Sequence, residues 1–120
     1  MFSLFRNSED SAEIRQLETE LTDLAMLNEL IDRSSHEKVY LFKHSTRCGI
    51  SSIVFQKFKK QMKEAGQRYF FINILKHRSI SNEVSERLEL RHESPQLIII
   101  KDGTAAQHGS HYGLLEILEA

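Results

Sequence analysis

Residues 39–51 read VYLFKHSTRCGIS, and they contain the features that decide the fold. The first four residues are β-branched, aromatic or apolar, which predicts a buried strand. Turn-prone residues follow at 44–49, and from Ile50 onward apolar side chains recur every three or four residues, which predicts a helix. The stretch therefore predicts a strand, a short turn and a helix, with Cys48 at the start of the helix.

Similar elements are predicted on both sides of this stretch. Upstream lie a short extended piece at about 15–18 and a helix at about 23–33. The central helix is predicted to end at Gly66. Downstream we predict a strand at 69–75, a short helix capped by Ser81, a strand at 96–100, a tight turn at Asp102-Gly103, a returning strand from Thr104 to about His108, and a final helix.

This order of elements predicts the fold class. Strands that are separated by helices pair in parallel through right-handed crossovers, and the hairpin adds one antiparallel strand. The expected result is an α/β protein with a mixed four- to five-stranded sheet and helices on both faces, which is the layout of a thioredoxin-like fold.

Length and composition fit a single domain. The chain has 120 residues, of which 40% are hydrophobic and 28% charged, and this composition is typical of a globular protein. Residues 1–12 are polar and aperiodic, so we expect a flexible lead-in there and one thioredoxin-like domain over 13–120.

Charge and hydropathy exclude several classes of protein. Sixteen Lys and Arg against seventeen Asp and Glu give a net charge of -1, which does not favour nucleic acid. Because no apolar run approaches the roughly 20 residues of a membrane span, and the N-terminus does not look like a signal peptide, we expect a cytoplasmic protein. The six histidines are too scattered to predict a metal site.

The single cysteine is the first candidate for chemistry. One cysteine cannot form an internal disulfide, which fits a reducing compartment. A helix N-terminus presents unpaired N–H groups and a partial positive charge, and thiols at such positions are stabilised as the nucleophilic thiolate. Lys43, His44 and Arg47 add positive charge or hydrogen-bond donors nearby. The alternative is a buried cysteine that acts as a small apolar residue.

Ser51 stands where a two-cysteine redox motif has its resolving thiol. A hydroxyl can donate a hydrogen bond to the Cys48 thiolate but cannot close a disulfide, so a redox cycle would need an external thiol. Ser51 as an ordinary residue of the first helical turn is the competing interpretation.

Pro95 is the third candidate, because it follows a helix and immediately precedes an apolar strand. Thioredoxin-like proteins have a cis-proline in this position, facing the cysteine, and the backbone of the preceding residue, here Ser94, can pair with an extended substrate. His92 lies close enough in sequence to line the same site. An ordinary trans-proline at a strand start is the alternative.

Two segments resemble a known family. Residues 43–51 (KHSTRCGIS) and 91–96 (RHESPQ) are similar to the motifs of the YtxJ-type monothiol bacilliredoxins of Gram-positive bacteria, and the resemblance extends over about 22–119. That family has a thioredoxin-like fold and is associated with bacillithiol, which those bacteria use in place of glutathione. The family usually has proline after the cysteine, whereas this chain has Gly49, and a glycine there loosens the turn.

The resemblance implies a reaction. Cys48 would be the nucleophile of a monothiol thiol–disulfide oxidoreductase that takes bacillithiol from a protein mixed disulfide, and a second bacillithiol would free it. No cofactor is bound in this scheme, bacillithiol is a co-substrate, and the partners are S-bacillithiolated client proteins. A monomer or weak dimer is expected.

The same resemblance assigns roles to neighbouring residues. Ser51 would occupy the absent resolving position, and Pro95 would be the cis-proline. Lys43, His44 and Arg47 are candidates for attracting the carboxylates of the bacillithiol malate group.

Two other functions stay open at this point. The segment CGIS at 48–51 also resembles the Cys-Gly-Phe-Ser loop of monothiol glutaredoxins, which carry a [2Fe–2S] cluster between two protomers. The neighbouring motifs of those proteins differ from Glu93-Ser94-Pro95 and Asp102-Gly103 here. The third possibility is a non-catalytic thioredoxin-like adaptor with an unreactive Cys48.

Overall fold

Five strands form one mixed sheet in residues 16–118, the part of the chain that this computed structural model describes. The predicted lead-in at 1–12 lies outside the described residues. The elements are β1 (Glu18–Glu20), α1 (Leu24–Arg33), β2 (Val39–His44), α2 (Gly49–Ala65), β3 (Tyr69–Asn73), α3 (Arg78–Arg87), β4 (Gln96–Lys101), β5 (Thr104–Ser110) and a C-terminal 3₁₀ helix (His111–Leu118).

The sheet order is β1-β3-β2-β4-β5. Strand β3 is parallel to both β1 and β2, as predicted for strands joined through helices. The same prediction is wrong for β4, which is antiparallel to β2 although a helix precedes it. Glu89, with a left-handed φ of 54°, redirects the chain after α3, and residues 88–95 return it to the edge at which β2 ends.

Both faces of the sheet carry a hydrophobic core, as predicted. On one face, α1 and α3 contribute Leu27, Leu30, Ile80 and Val84, which cluster with alternate residues of β2 and β4 such as Leu41 and Ile98. The other face is more aromatic. There α2 and the 3₁₀ helix pack on β2, β3 and β4 through the side chains Phe42, Val54, Phe55, Phe58, Met62, Tyr69, Leu97 and Leu114.

Local signals explain most element boundaries. Asp23 caps α1 by accepting a hydrogen bond of 2.8 Å from the Met26 N–H, and Gly66 ends α2 in the left-handed region with φ 62°. The predicted turn is confirmed, with positive φ at both Asp102 and Gly103. The predicted cap at Ser81 is wrong, because α3 already begins at Arg78 and Ser81 is buried within it.

Within the described residues, none of the helices has the length and apolarity needed to cross a membrane.

Candidate functional site

Cys48 is the N-cap residue of α2, directly after the turn that follows β2. Its backbone is extended, with φ -103° and ψ 118°, and its carbonyl accepts the first helical hydrogen bond from the Ser52 N–H at 3.1 Å. The side chain of an N-cap residue lies where the free N–H groups of the first turn can donate to it. The Sγ of half-buried Cys48 makes no cap hydrogen bond with that turn. The partial positive charge of a helix N-terminus is still the kind of environment in which a nucleophilic cysteine is found.

Ser51 is fully buried beneath the turn and holds it in place. Its Oγ accepts a hydrogen bond of 3.0 Å from the Ser45 N–H and lies 2.7 Å from His44 Nδ1. The contacts are made to the last residue of β2 and to the first residue of the turn that follows it. The structure thus gives Ser51 a structural role that fixes the turn before Cys48, which is more than the ordinary helix residue considered from the sequence.

The imidazole ring of His44 packs against the aromatic core. It lies on Phe55 with a centroid distance of 4.6 Å, and its Nδ1 faces Ser51. Burial, with a smaller effect of the Lys59 charge, lowers the pKa of His44 below its usual value. A lowered pKa disfavours the charged ring, which weakens the attraction of His44 for a carboxylate.

Lys43 corrects the sequence interpretation most clearly. The sequence made it a candidate for attracting the carboxylates of bacillithiol, but its side chain is fully buried on the face that α3 covers. Nζ donates to the Ser81 carbonyl at 2.9 Å and to Ser85 Oγ at 2.7 Å, and it lies 3.2 Å from His92 Nδ1. Burial, and secondarily the charge of Arg78, lowers the pKa of Lys43 to about 8. Because its contacts are all internal, Lys43 does not reach a substrate directly.

Residues 91–95, which we call the proline loop, lie at the same edge of the sheet as the turn before Cys48. The register places Gln96 opposite Lys43, so β4 begins where β2 ends. The Ser94–Pro95 peptide bond is cis, as predicted, and Pro95 is buried. The Pro95 carbonyl accepts a hydrogen bond of 2.9 Å from the His111 N–H.

The loop carries one unused polar group next to the cis-proline. Ser94 Oγ is buried and has no hydrogen-bond partner among the described residues. The hydrogen-bonding capacity of this hydroxyl is therefore unused within the protein. His92 is half-buried and faces Lys43 and Ser81 rather than solvent alone, and burial followed by the Lys43 charge lowers its pKa.

Arg47 and Gly49, the sequence neighbours of Cys48, lie at the protein surface. Both are exposed, and so is the Ile50 side chain, which is 41% accessible. Of the three cationic residues proposed from the sequence, Arg47 is therefore the one on the surface beside Cys48. The sequence analysis missed Gln96, which is 2% exposed and anchors the proline loop by donating to the Arg91 carbonyl at 3.0 Å.

A thioredoxin-like sheet with one cysteine at a helix N-terminus and a cis-proline at the same edge defines a single-cysteine thiol-redox domain. Comparison with known proteins agrees. The family model described as monothiol bacilliredoxin BrxC matches residues 19–116, and the chain belongs to that family.

Solved structures show the same fold. The chain is similar to a protein described as an oxidoreductase candidate with a thioredoxin fold, with TM-score 0.79 and 21% identity over 89% of this chain and 97% of that one. It is also similar to reduced thioredoxin pre-protein of Schistosoma mansoni, with TM-score 0.69 and 16% identity over 85% and 92% of the two chains. Oxidised mitochondrial thioredoxin 3 of Saccharomyces cerevisiae matches with TM-score 0.69 and 17% identity over 89% and 94%.

Replacing Ser51 tests its role in fixing the turn. In Ser51→Ala the Ser45 N–H and the His44 ring lose their shared partner, and we expect the free energy of unfolding to fall by about 1–3 kcal/mol. Urea titration measures this loss. Ser52→Ala is the matched control, because Ser52 is exposed in the same helical turn and its removal should be close to neutral. Equal effects of the two changes would contradict the role of Ser51.

Gly49 is a position that accepts the proline typical of the family. A Cβ built on Gly49 meets nothing within 4 Å, Gly49 is the first residue of α2, and the extended Cys48 before it has the backbone that a following proline requires. Gly49→Pro is expected to raise the free energy of unfolding by about 0.4–1 kcal/mol, because it restricts the unfolded chain.

Urea titration measures the change, and Gly49→Ala is the control that separates the effect of the proline ring from the loss of glycine. Because alanine restricts φ less than proline does, Gly49→Ala should raise the free energy of unfolding by less. A lower stability of the proline variant would show that the turn is not as open as the structure indicates.

Proposed function

We propose that the protein is a thiol–disulfide oxidoreductase that removes bacillithiol from protein mixed disulfides through Cys48. The observation that supports this proposal best is the placement of the only cysteine at the N-terminus of α2, at the sheet edge that also carries cis-Pro95. Membership of the monothiol bacilliredoxin family supports the choice of bacillithiol as the thiol that is transferred.

The reaction has two exchange steps. The Cys48 thiolate attacks the bacillithiol sulfur of the mixed disulfide, the sulfur–sulfur bond breaks, and the client leaves as a thiolate that takes up a proton. A second bacillithiol, as its thiolate, then attacks the bacillithiol sulfur on Cys48. Cys48 is released as a thiolate, and the two bacillithiol molecules leave as their disulfide. No cofactor is bound at any step, and the protein itself is not oxidised overall.

Several residues around Cys48 have proposed roles in binding the substrate. The backbone of Ser94 is proposed to pair with the extended client or thiol, with the unpartnered Ser94 hydroxyl as a further donor. Exposed Arg47 is proposed to attract the carboxylates of bacillithiol. Client proteins are proposed to contact exposed apolar side chains near this edge, Ile50 and Tyr112, which are 41% and 52% accessible.

The compartment and the oligomeric state belong to the same proposal. Thiol exchange of this kind needs a pool of reduced bacillithiol, and we propose that the protein works in the cytoplasm as a monomer or weak dimer. The charge and hydropathy of the chain match client proteins as partners better than nucleic acid or membrane.

The proposal is tested by intact mass spectrometry of the reduced protein mixed with an S-bacillithiolated client, without free bacillithiol. We expect the protein to gain one bacillithiol and the client to lose it. Cys48→Ser, which keeps the size and the helix start, should leave both masses unchanged.

The other outcomes separate the alternatives. If neither mass changes over hours, the transfer reaction is refuted. A brown protein after anaerobic purification would then favour the iron–sulfur cluster carrier. A colourless protein with an unreactive thiol would favour the adaptor.

A further inference from the structure

A buried polar cluster lies directly behind the proline loop, on the face of the sheet opposite α2. At its centre is Lys43 of β2, which no solvent reaches. Its Nζ contacts α3 through the Ser81 carbonyl and Ser85 Oγ, and it contacts the loop through His92 Nδ1. One ammonium group thus joins β2, α3 and the proline loop.

Burying the Lys43 side chain costs free energy, so its position points to a role other than stabilising the fold. A lysine ammonium loses its hydration on burial, and a buried charge is tolerated only when hydrogen bonds replace that water. Apolar residues of similar volume often replace buried charged groups with no loss of stability, or with a gain. The three contacts of Nζ are thus better explained by what they position than by the stability that they add.

The contacts of Lys43 also define the state of His92. An ammonium group only donates hydrogen bonds, so beside a charged Lys43 the facing His92 Nδ1 is assigned as an unprotonated acceptor. The ring is then neutral, with its proton on Nε2. The lowered pKa of His92, caused by burial and by the Lys43 and Arg78 charges, agrees with that state.

Two further bonds hold the same loop. Gln96, the strand partner of Lys43, donates from Nε2 to the Arg91 carbonyl at 3.0 Å, and the His111 N–H donates to the Pro95 carbonyl at 2.9 Å. The loop is therefore fixed at its first residue by Gln96, at its second by Lys43 and at its last by His111. Lys43 is the one of these that holds a side chain of the loop.

We propose that Lys43 is a positioning residue for the transfer reaction: through His92 it holds the Ser94–Pro95 segment where a mixed disulfide must lie to meet Cys48. This inference rests on the proposed function, because it assigns a residue to that reaction. The contacts of Lys43 Nζ are with α3 and the proline loop, so Lys43 does not act on the thiol itself. Lys43 affects the rate of bacillithiol transfer only by holding the proline loop in position.

The test compares two reactions of Cys48 in Lys43→Met, which keeps a long unbranched side chain and removes the three donors. Alkylation by iodoacetamide needs the thiolate alone, and its rate constant should stay within about threefold of wild type, because the helix N-terminus is unchanged. Bacillithiol transfer needs the loop as well. Its rate constant should fall about tenfold to a hundredfold, since a misplacement of about 1 Å can cost that much.

Lys101→Met is the matched control. Lys101 also donates to backbone carbonyls, those of Ser34 and Ser35, both at 3.4 Å, but at the other end of β4. Both reactions should keep their wild-type rates in this variant. An equal loss of transfer in both variants would attribute the effect to general destabilisation, and unchanged transfer in folded Lys43→Met would overturn the proposal.

A second measurement does not depend on activity. Nuclear magnetic resonance of Lys43→Met should show changed amide shifts and lower order parameters at residues 91–94, with β1 unaffected. His92→Phe breaks the same contact from the half-buried side and should reproduce both effects if Lys43→Met does not fold. If residues 91–94 keep their wild-type shifts and order, Lys43 does not position the loop. Absence of transfer in the wild-type protein would instead refute the proposed function and leave this structural result standing.

Discussion

The antiparallel pairing of β4 with β2 is the constraint on which the site depends. Lys43 lies opposite Gln96, so the residue before β4, Pro95, is at the edge where β2 ends and α2 begins. A parallel β4 of the same length would start at the other edge, about 20 Å away at roughly 3.3 Å per residue. The helix N-terminus that carries Cys48 and the loop that is proposed to bind the substrate lie at the same edge of the sheet because this one strand is reversed.

The two faces of the sheet contribute differently to that edge. Beneath α2 the packing is aromatic, with Phe42 and Phe55 stacked at a centroid distance of 4.6 Å, and this packing fixes the helix that carries Cys48. Beneath the proline loop the packing is polar, with Lys43 at its centre. Apolar packing sets the place of the nucleophile, and buried hydrogen bonds set the place of the loop on which the substrate is proposed to lie.

Much of this arrangement follows from local sequence signals. The periodicity around Cys48, the Gly66 cap and the Asp102-Gly103 turn predict elements that the structure confirms, because each depends on residues close in sequence. The direction of β4 depends on how residues 88–95 fold back, which no local pattern encodes. The side of β2 on which Lys43 lies could be predicted from the sequence. Lys43 follows Val39 and Leu41 at a spacing of two residues, which assigns all three side chains to the same buried face. The charge of Lys43 argued against that assignment. Its acceptors come from α3 and from the proline loop, which are distant in sequence, and Ser51 was likewise explained only by the fold of the turn.

The central claim is that Cys48 and the Ser94–Pro95 segment form one site for a disulfide-linked thiol. The most direct measurement is a crystal structure of the protein with bacillithiol attached to Cys48 as a mixed disulfide. The account predicts that the adduct lies along the proline loop, within hydrogen-bond distance of the Ser94 backbone or hydroxyl, with its carboxylates toward Arg47. An adduct that extends into solvent on the far side of α2, with no contact to Ser94 or Pro95, would contradict it.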